Sequence, residues 1–138
     1  MREIRFRGIS KNNNRWVYGF VSIDKNSAKM EGFPHYISRA SGYLPVEVVP
    51  KSVGQYTGLK DKNGVEIYEG DYIRYSMRTI NGSVFTHVCR VFQHESGTWR
   101  IEGYHEDNHS YETKGTVYEK RLICEVIGNV YENPELAK

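Results

Sequence analysis

Two histidines near the C-terminal third of the sequence have the spacing of a metal site. His105 and His109 are four positions apart with Glu106 and Asp107 between them, and on a helix such a pair would share one face and could bind zinc. The segment lacks an apolar helical stripe, and its Asn, Asp and Ser residues disfavour a helix interior. We therefore predict a polar loop over residues 102–114, with no metal and no cofactor bound.

A second pair that could support chemistry is His87 and Cys89, which point to the same face of a strand because they are two positions apart. A cysteine beside a histidine can act as nucleophile and base. Val88 and Val91 flank Cys89, however, and this context predicts a buried thiol with a structural role. The other cysteine, Cys124, forms no CxxC motif with it, so we expect two free thiols in a reducing cytosol.

The acidic residues around Asp71 belong to a Glu-Gly-Asp corner rather than to a catalytic pair. In such a corner Gly70 takes a positive φ angle, and the Asp71 carboxylate caps backbone N–H groups. Asn63-Gly64 just before it predicts a type I′ turn, in which both residues have positive φ. Because no phosphate-binding loop follows either, we predict that the protein is not an enzyme.

Aromatic residues alternate with basic ones in several strand-like segments, a pattern that small β proteins use to bind single-stranded nucleic acid. The candidate nucleic-acid surface consists of five residues: Arg5, Arg7, Arg15, Arg74 and Tyr75. The net charge is only +2 and the two signs are interspersed, so the charge alone does not favour a nucleic-acid binder. The 11 tyrosines are equally suited to a protein–protein surface.

The composition indicates an all-β protein with little helix. Valine (13), isoleucine (10) and aromatic residues (18) far outnumber alanine (3) and leucine (4), so strong helix formers are scarce and strand formers dominate. No apolar run approaches the roughly 20 residues that cross a membrane, so we expect no membrane association.

The N-terminal segment predicts a β-hairpin whose second strand, residues 16–23, is apolar on both faces. The two rows of side chains are Trp16, Tyr18 and Phe20 on one face and Val17, Val21 and Ile23 on the other. A small β domain covers only one face of such a strand, and an open edge beside it would invite pairing with another copy. We therefore predict a homo-oligomer in which one of these rows lies between subunits.

Two regions follow from the distribution of turn residues. Residues 1–49 contain the hairpin, or second small sheet, and an irregular stretch at residues 24–45 that contains glycine and proline but no periodicity. Residues 50–138 predict a small SH3-like barrel with a C-terminal tail, because the order turn, apolar residue, Glu-Gly-Asp, strand is typical of such barrels. We expect the two regions to form one compact unit.

Several segments match a known pattern in order and spacing. They are Met1-Arg2-Glu3-Ile4-Arg5-Phe6-Arg7, Trp16-Val17-Tyr18-Gly19, residues 53–64 (VGQYTGLKDKNG), Ile67-Tyr68-Glu69-Gly70-Asp71 and residues 126–136 (VIGNVYENPEL). From end to end the chain resembles the YopX family of bacteriophage and prophage proteins. The resemblance implies a phage or prophage origin, a mostly β fold and a location in the host bacterial cytosol. It implies no reaction and no catalytic residues.

The function that these observations favour is a non-catalytic, phage-encoded binding or assembly module. Its expected partner is a second copy of the chain, together with an unidentified protein or nucleic acid. The alternative is a nucleic-acid-binding accessory protein used in phage replication or regulation.

Overall fold

The computed structural model describes residues 3–30, 32–39, 44–105 and 110–137 as a mostly β structure. The eleven strands among these residues are β1 (Phe6–Ile9), β2 (Trp16–Ile23), β3 (His35–Ser38), β4 (Val46–Val48), β5 (Gly54–Lys60), β6 (Glu66–Tyr68), β7 (Asp71–Arg78), β8 (Val84–Gln93), β9 (Trp99–His105), β10 (Ser110–Thr116) and β11 (Glu125–Asn129). One short α-helix, α1 (Val117–Lys120), and 3₁₀ turns at Pro50–Ser52 and Pro134–Ala137 complete the described structure. None of the described helices is long and apolar enough to cross a membrane.

The strands form two antiparallel sheets. One sheet has the order β4-β3-β2-β1-β5-β6 and the other has the order β10-β9-β8-β7-β11. Within the described residues both sheets are open, and the small SH3-like barrel predicted for the second half of the chain is not confirmed. The all-β class is confirmed, because strands account for most of the regular structure.

The chain divides into two compact units, Met1–Tyr56 (the N-terminal unit) and Thr57–Lys138 (the C-terminal unit), with the boundary inside β5. In the N-terminal unit the predicted hairpin is present, with Gly8 opposite Val17 and Arg7 opposite Tyr18. The irregular stretch contains a strand, β3, which pairs with the outer edge of β2. The core of this unit consists of Val17, Ile37 and Val48, with Phe6, Val46 and Val53 packed against it.

The C-terminal unit has a larger core. Its buried members are Ile67, Ile73, Tyr75, Cys89, Val91, Trp99, Ile101, Val117 and Cys124. They come mainly from one face of the strands β7, β8 and β9, where alternate residues point inward. The loop predicted at residues 102–114 is wrong for the described part of that range, because β9 and β10 pair there, with Glu112 opposite Gly103 and Thr113 opposite Glu102, while residues 106–109 lie outside the described residues.

The turn predicted at Asn63-Gly64 has a different geometry. Gly64 has φ +80°, but Asn14 is the one non-glycine residue of the described chain with positive φ, so the type I′ prediction is wrong for Asn63. Residues 62–64 instead form a three-residue loop between Asp61 and Val65, in which the Gly64 N–H donates to the Asp61 carbonyl. Residues 79–83 and 94–98 repeat the same hydrogen bonds, and in each loop a glycine supplies the positive φ.

Candidate functional site

Asp61, the acidic residue of the motif at residues 53–64, binds three backbone N–H groups. Its side chain is 6% exposed. Oδ1 accepts hydrogen bonds from the N–H groups of Asn63 (2.8 Å) and Val65 (2.9 Å), and Oδ2 accepts one from Val126 (2.9 Å). One carboxylate therefore shapes the 61–65 loop and fixes the start of β11.

The Glu-Gly-Asp corner is built in the same way. Gly70 has φ +88°, and the Asp71 carboxylate, 1% exposed, accepts a 2.7 Å hydrogen bond from the Tyr68 N–H. Nearby, the Thr57 hydroxyl donates to the Ile67 carbonyl at 2.7 Å. Each of these buried polar groups satisfies backbone atoms, and the corner thereby positions β6 and β7.

The C-terminal motif is a cap on β11. The Asn129 side-chain oxygen accepts hydrogen bonds from the N–H groups of Tyr131 and Glu132, while Asn133 Oδ1 accepts one from the Asn129 N–H. A Cβ at Gly128 would lie 2.5 Å from Asn133 Oδ1, so a larger residue there would displace the Asn133 side chain. The distinctive residues of this motif therefore also have structural roles.

His87 and Cys89 lie at the edge of the core of the C-terminal unit. Cys89 is buried, and burial raises the pKa of its thiol. Burial likewise raises the pKa of Cys124 to about 11. Burial and the neighbouring Lys114 and Lys120 lower the pKa of His87. At neutral pH the thiols are therefore protonated, which is unfavourable for a nucleophile.

The predicted polar segment with His105 and His109 falls largely outside the described residues, since 106–109 are not among them. In the part of the chain that the structure does describe, no group of three His, Cys, Asp or Glu residues is placed to hold a metal ion.

The second strand presents one apolar row inward and the other outward. Val17 is 3% exposed and belongs to the core. Tyr18 is 44% exposed and Phe20 is 63% exposed, while Trp16 at the start of the strand is half-buried. We call Trp16, Tyr18 and Phe20 the aromatic row. Of the inward row, Val21 is half-buried and Ile23, near the end of the strand, is 45% exposed.

Two arginines of β1 and its preceding residues are stacked on aromatic rings of the N-terminal unit. The Arg7 guanidinium lies 4.4 Å from the centroid of the Trp16 ring, and the Arg5 guanidinium lies 5.2 Å from that of Tyr56. Arg7 is directly opposite Tyr18 in the ladder and is 8% exposed. These cation–π contacts hold the arginines against the sheet and stiffen the aromatic row.

The five residues of the candidate nucleic-acid surface do not form one patch within a unit. Arg15 is exposed at the start of β2, but Arg74 forms an ion pair with Glu125 and Tyr75 is 3% exposed in the core. Arg74 and Tyr75 are neighbours in β7 and so point to opposite faces of its sheet. Arg74 and Tyr75 therefore do not place a basic side chain beside an exposed aromatic ring, as a nucleic-acid surface at these two positions of the C-terminal unit would require.

Sequence reasoning missed a second exposed apolar site, at the far end of the β7–β8 hairpin. Met77 and Phe85 are directly opposite each other and are 46% and 54% exposed. They continue the row of alternate residues that begins in the core with Ile73 and Tyr75. That alternation beyond residue 75 was the available signal.

The structure is a two-sheet β protein whose motif residues Asp61, Asp71 and Asn129 accept hydrogen bonds from backbone N–H groups. The chain belongs to the YopX family, whose model, described as YopX protein, matches residues 5–138. No curated protein matches the chain. Among solved structures, the crystal structure of protein EF1440 from Enterococcus faecalis is similar over all of both chains, at 19% identity and with a TM-score of 0.48.

Proposed function

We propose that the protein is a non-catalytic binding or assembly module, encoded by a phage or prophage and acting in the host bacterial cytosol, that self-associates through the aromatic row. The observation that carries the proposal is the contrast within β2: Val17 is buried by the unit's own core, while Tyr18 and Phe20 remain exposed. Membership of the YopX family supports the proposed origin.

In the N-terminal unit, the exposed face of the sheet is a better contact surface for a second copy of the chain than the edge of that sheet. β2 lies between β1 and β3, so the open edge that we expected beside it is already paired. At the end of that sheet, β4 is only three residues long, Pro45 and Pro50 flank it, and its outer side is already bonded to the residues around Ser10, with the Lys11 N–H donating to the Glu47 carbonyl. Short strands with nearby prolines discourage edge pairing. Two copies would therefore meet face to face through the aromatic row.

The energy available supports a weak but specific dimer. Complete burial of a large apolar side chain contributes about 1.5–3 kcal/mol, and Phe20 and Tyr18 would each be buried twice across a two-fold axis. The Arg7–Trp16 stack holds one end of the row in place, so little side-chain entropy is lost there on association.

Light scattering on a size-exclusion column tests this proposal. We expect a mass of at least twice 16.0 kDa for the natural chain at tens of micromolar, and a mass of 16.0 kDa for Phe20→Ser with Tyr18→Ser. Tyr118→Ser is the matched control, because Tyr118 is a similarly exposed aromatic residue in the other unit. A natural chain that elutes as a monomer would contradict self-association.

Nucleic-acid binding in phage replication or regulation is the second candidate, and the exposed Arg15 beside Trp16 favours it. If it holds, the affinity for single- or double-stranded DNA should fall steeply with salt concentration, since each phosphate contact releases counterions. Arg15→Gln should then reduce the salt slope by about one. An affinity that does not change with salt would exclude this role.

A further inference from the structure

His87 lies on the face of the β7–β8 hairpin that also carries Tyr75 and Cys89 (the inner face), and none of the roles described above uses its ring. The His87 ring lies against the Tyr75 ring, with centroids 5.2 Å apart and planes inclined at 32°. Among the described residues, no group forms a hydrogen bond with the His87 ring nitrogens. Since its ring is half-buried rather than enclosed, those nitrogens remain available to a ligand.

A lysine from α1 lies over the same surface. Lys120 Nζ is 5.0 Å from the centroid of the Tyr75 ring and 3.7 Å from Met77 Sδ. A thioether sulfur and an aromatic face are weak acceptors for an ammonium group that has three donors. Within the described chain Lys120 has no carboxylate partner, so its charge is poorly compensated.

A second lysine approaches from β10. The Lys114 side chain crosses Gly103, where a Cβ would lie 3.4 Å from its Cε and 3.7 Å from Cys89 Sγ. The Lys114 ammonium contacts Glu112 at 3.0 Å, an exposed ion pair that contributes little. Lys114 and Lys120 both lie close enough to lower the pKa of His87 electrostatically.

The apolar pair Met77–Phe85 adjoins this cationic surface. Met77 contacts the Lys120 ammonium and is directly opposite Phe85 in the ladder. Exposed rings beside a basic group can stack a nucleic-acid base while the cation binds the phosphate. The two features together therefore match a ligand that has a flat ring at one end and an anion at the other.

We propose that Lys114, Lys120 and His87 bind the phosphate monoester of a nucleotide, whose base packs on Met77 and Phe85. A phosphate monoester carries about −1.5 to −2 charges near neutral pH, so it can compensate two ammonium groups and accept a hydrogen bond from the imidazole. A carboxylate, with a single charge, would compensate only one. This site is in the C-terminal unit and is independent of the self-association proposed above.

Calorimetry with three ligands tests the assignment on the full chain. Adenosine 5′-monophosphate should bind more tightly than inorganic phosphate, and adenosine should not bind. Lys120→Gln and Lys114→Gln should each weaken nucleotide binding about tenfold, which is about 1.4 kcal/mol. Phe85→Ser should reduce the nucleotide affinity to that of phosphate and leave phosphate binding unchanged. Lys60→Gln, an exposed lysine of the same unit, is the control.

Two further measurements complete the test. Ligand-induced NMR shifts in the natural chain should map to β8 and α1, which needs no variant to fold. Tighter binding of a 5′-phosphorylated oligonucleotide than of the mononucleotide would identify a nucleic-acid end as the source, and equal binding would identify a free nucleotide. Absence of saturable binding of all phosphate ligands at millimolar concentration, or an equal loss in Lys60→Gln, would overturn the proposal.

Discussion

The two units differ in how much of their apolar surface they bury. Among the described residues, the core cluster of the C-terminal unit contains nine buried residues from strands, α1 and the segment before β11, whereas the core cluster of the N-terminal unit contains three, and Tyr18 and Phe20 are exposed. A small core contributes less stabilisation, because hydrophobic burial scales with the area removed from water. The core cluster of the N-terminal unit is therefore expected to contribute less stabilisation than that of the C-terminal unit.

The units also differ in where the carboxylates that bind turn N–H groups lie. In the C-terminal unit, the carboxylates of Asp61 and Asp71 are buried and bind backbone N–H groups. In the N-terminal unit, Asp24 makes a comparable turn contact with the Asn26 N–H, but it does so at the exposed surface. A buried acceptor that is lost leaves donors without water, so the same substitution should cost far more in the C-terminal unit.

A comparison of Asp61→Ala with Asp24→Ala measures this difference, and Asp61→Ala should give the largest loss of stability. Loss of the Asp61 carboxylate leaves three backbone N–H groups without their acceptor, so we expect the free energy of unfolding to fall by about 4 kcal/mol. Asp24→Ala should cost less than about 0.5 kcal/mol. Urea denaturation of both variants is the measurement, and equal losses would contradict the contrast.

Gly19→Ala tests the packing of the N-terminal unit, where the neighbouring strand β3 leaves no room for a side chain at position 19. A Cβ at Gly19 would lie 2.1 Å from the Ser38 carbonyl oxygen, so β3 must move away from β2. We expect a loss of about 3 kcal/mol, as in severe overpacking. In hydrogen exchange, β3 amides should lose protection while β8 amides keep theirs.

Gly32→Ala is the matched control for Gly19→Ala. Gly32 belongs to the same unit and has φ +103°, but a Cβ there meets nothing within 4 Å. Its cost should be limited to backbone strain, about 1 kcal/mol. A Gly19→Ala variant that is no less stable than Gly32→Ala would show that β3 adapts without cost.

Gly70→Val tests the corner in the C-terminal unit. Gly70 and Gly82 both have φ +88°, but a Cβ at Gly70 would contact Val130 at 3.3 Å, whereas one at Gly82 meets nothing within 4 Å. We expect Gly70→Val to destabilise by about 1 kcal/mol or more, and by more than Gly82→Val, because both have the strain and only one has the contact. Thermal unfolding that is unchanged in Gly70→Val would rule out the corner argument.

Local chemistry made some elements predictable from the sequence. The hairpin of β1 and β2 follows from two alternating segments around an Asn-rich turn, and the corner follows from Gly70 and Asp71. The YopX family was identifiable from short motifs, such as those at residues 53–64 and 126–136. These features depend on neighbours within a few positions of the chain.

Features that depend on distant residues were not predictable. β9 and β10 contain Glu102, Glu112 and Lys114, so their polarity resembles a loop, and only the ladder between them makes them strands. The Asp61 carboxylate also accepts a hydrogen bond from the Val126 N–H, which is 65 positions away, and no local pattern indicates that contact. Which apolar row of β2 faces inward likewise depends on Ile37 and Val48.

The smallest expected effect concerns pH and the inner face of the C-terminal unit. Burial, followed by Lys114 and Lys120, lowers the pKa of His87 in the folded state, while the unfolded value is about 6.5. Below that pH the unfolded chain binds the proton more readily, so stability falls as pH decreases. In His87→Gln this part of the pH dependence should disappear, whereas His94→Gln, at an exposed turn, should keep it. Urea midpoints between pH 5 and 7 measure the difference, and a natural chain that becomes more stable as the pH falls through this range would contradict a lowered pKa for His87.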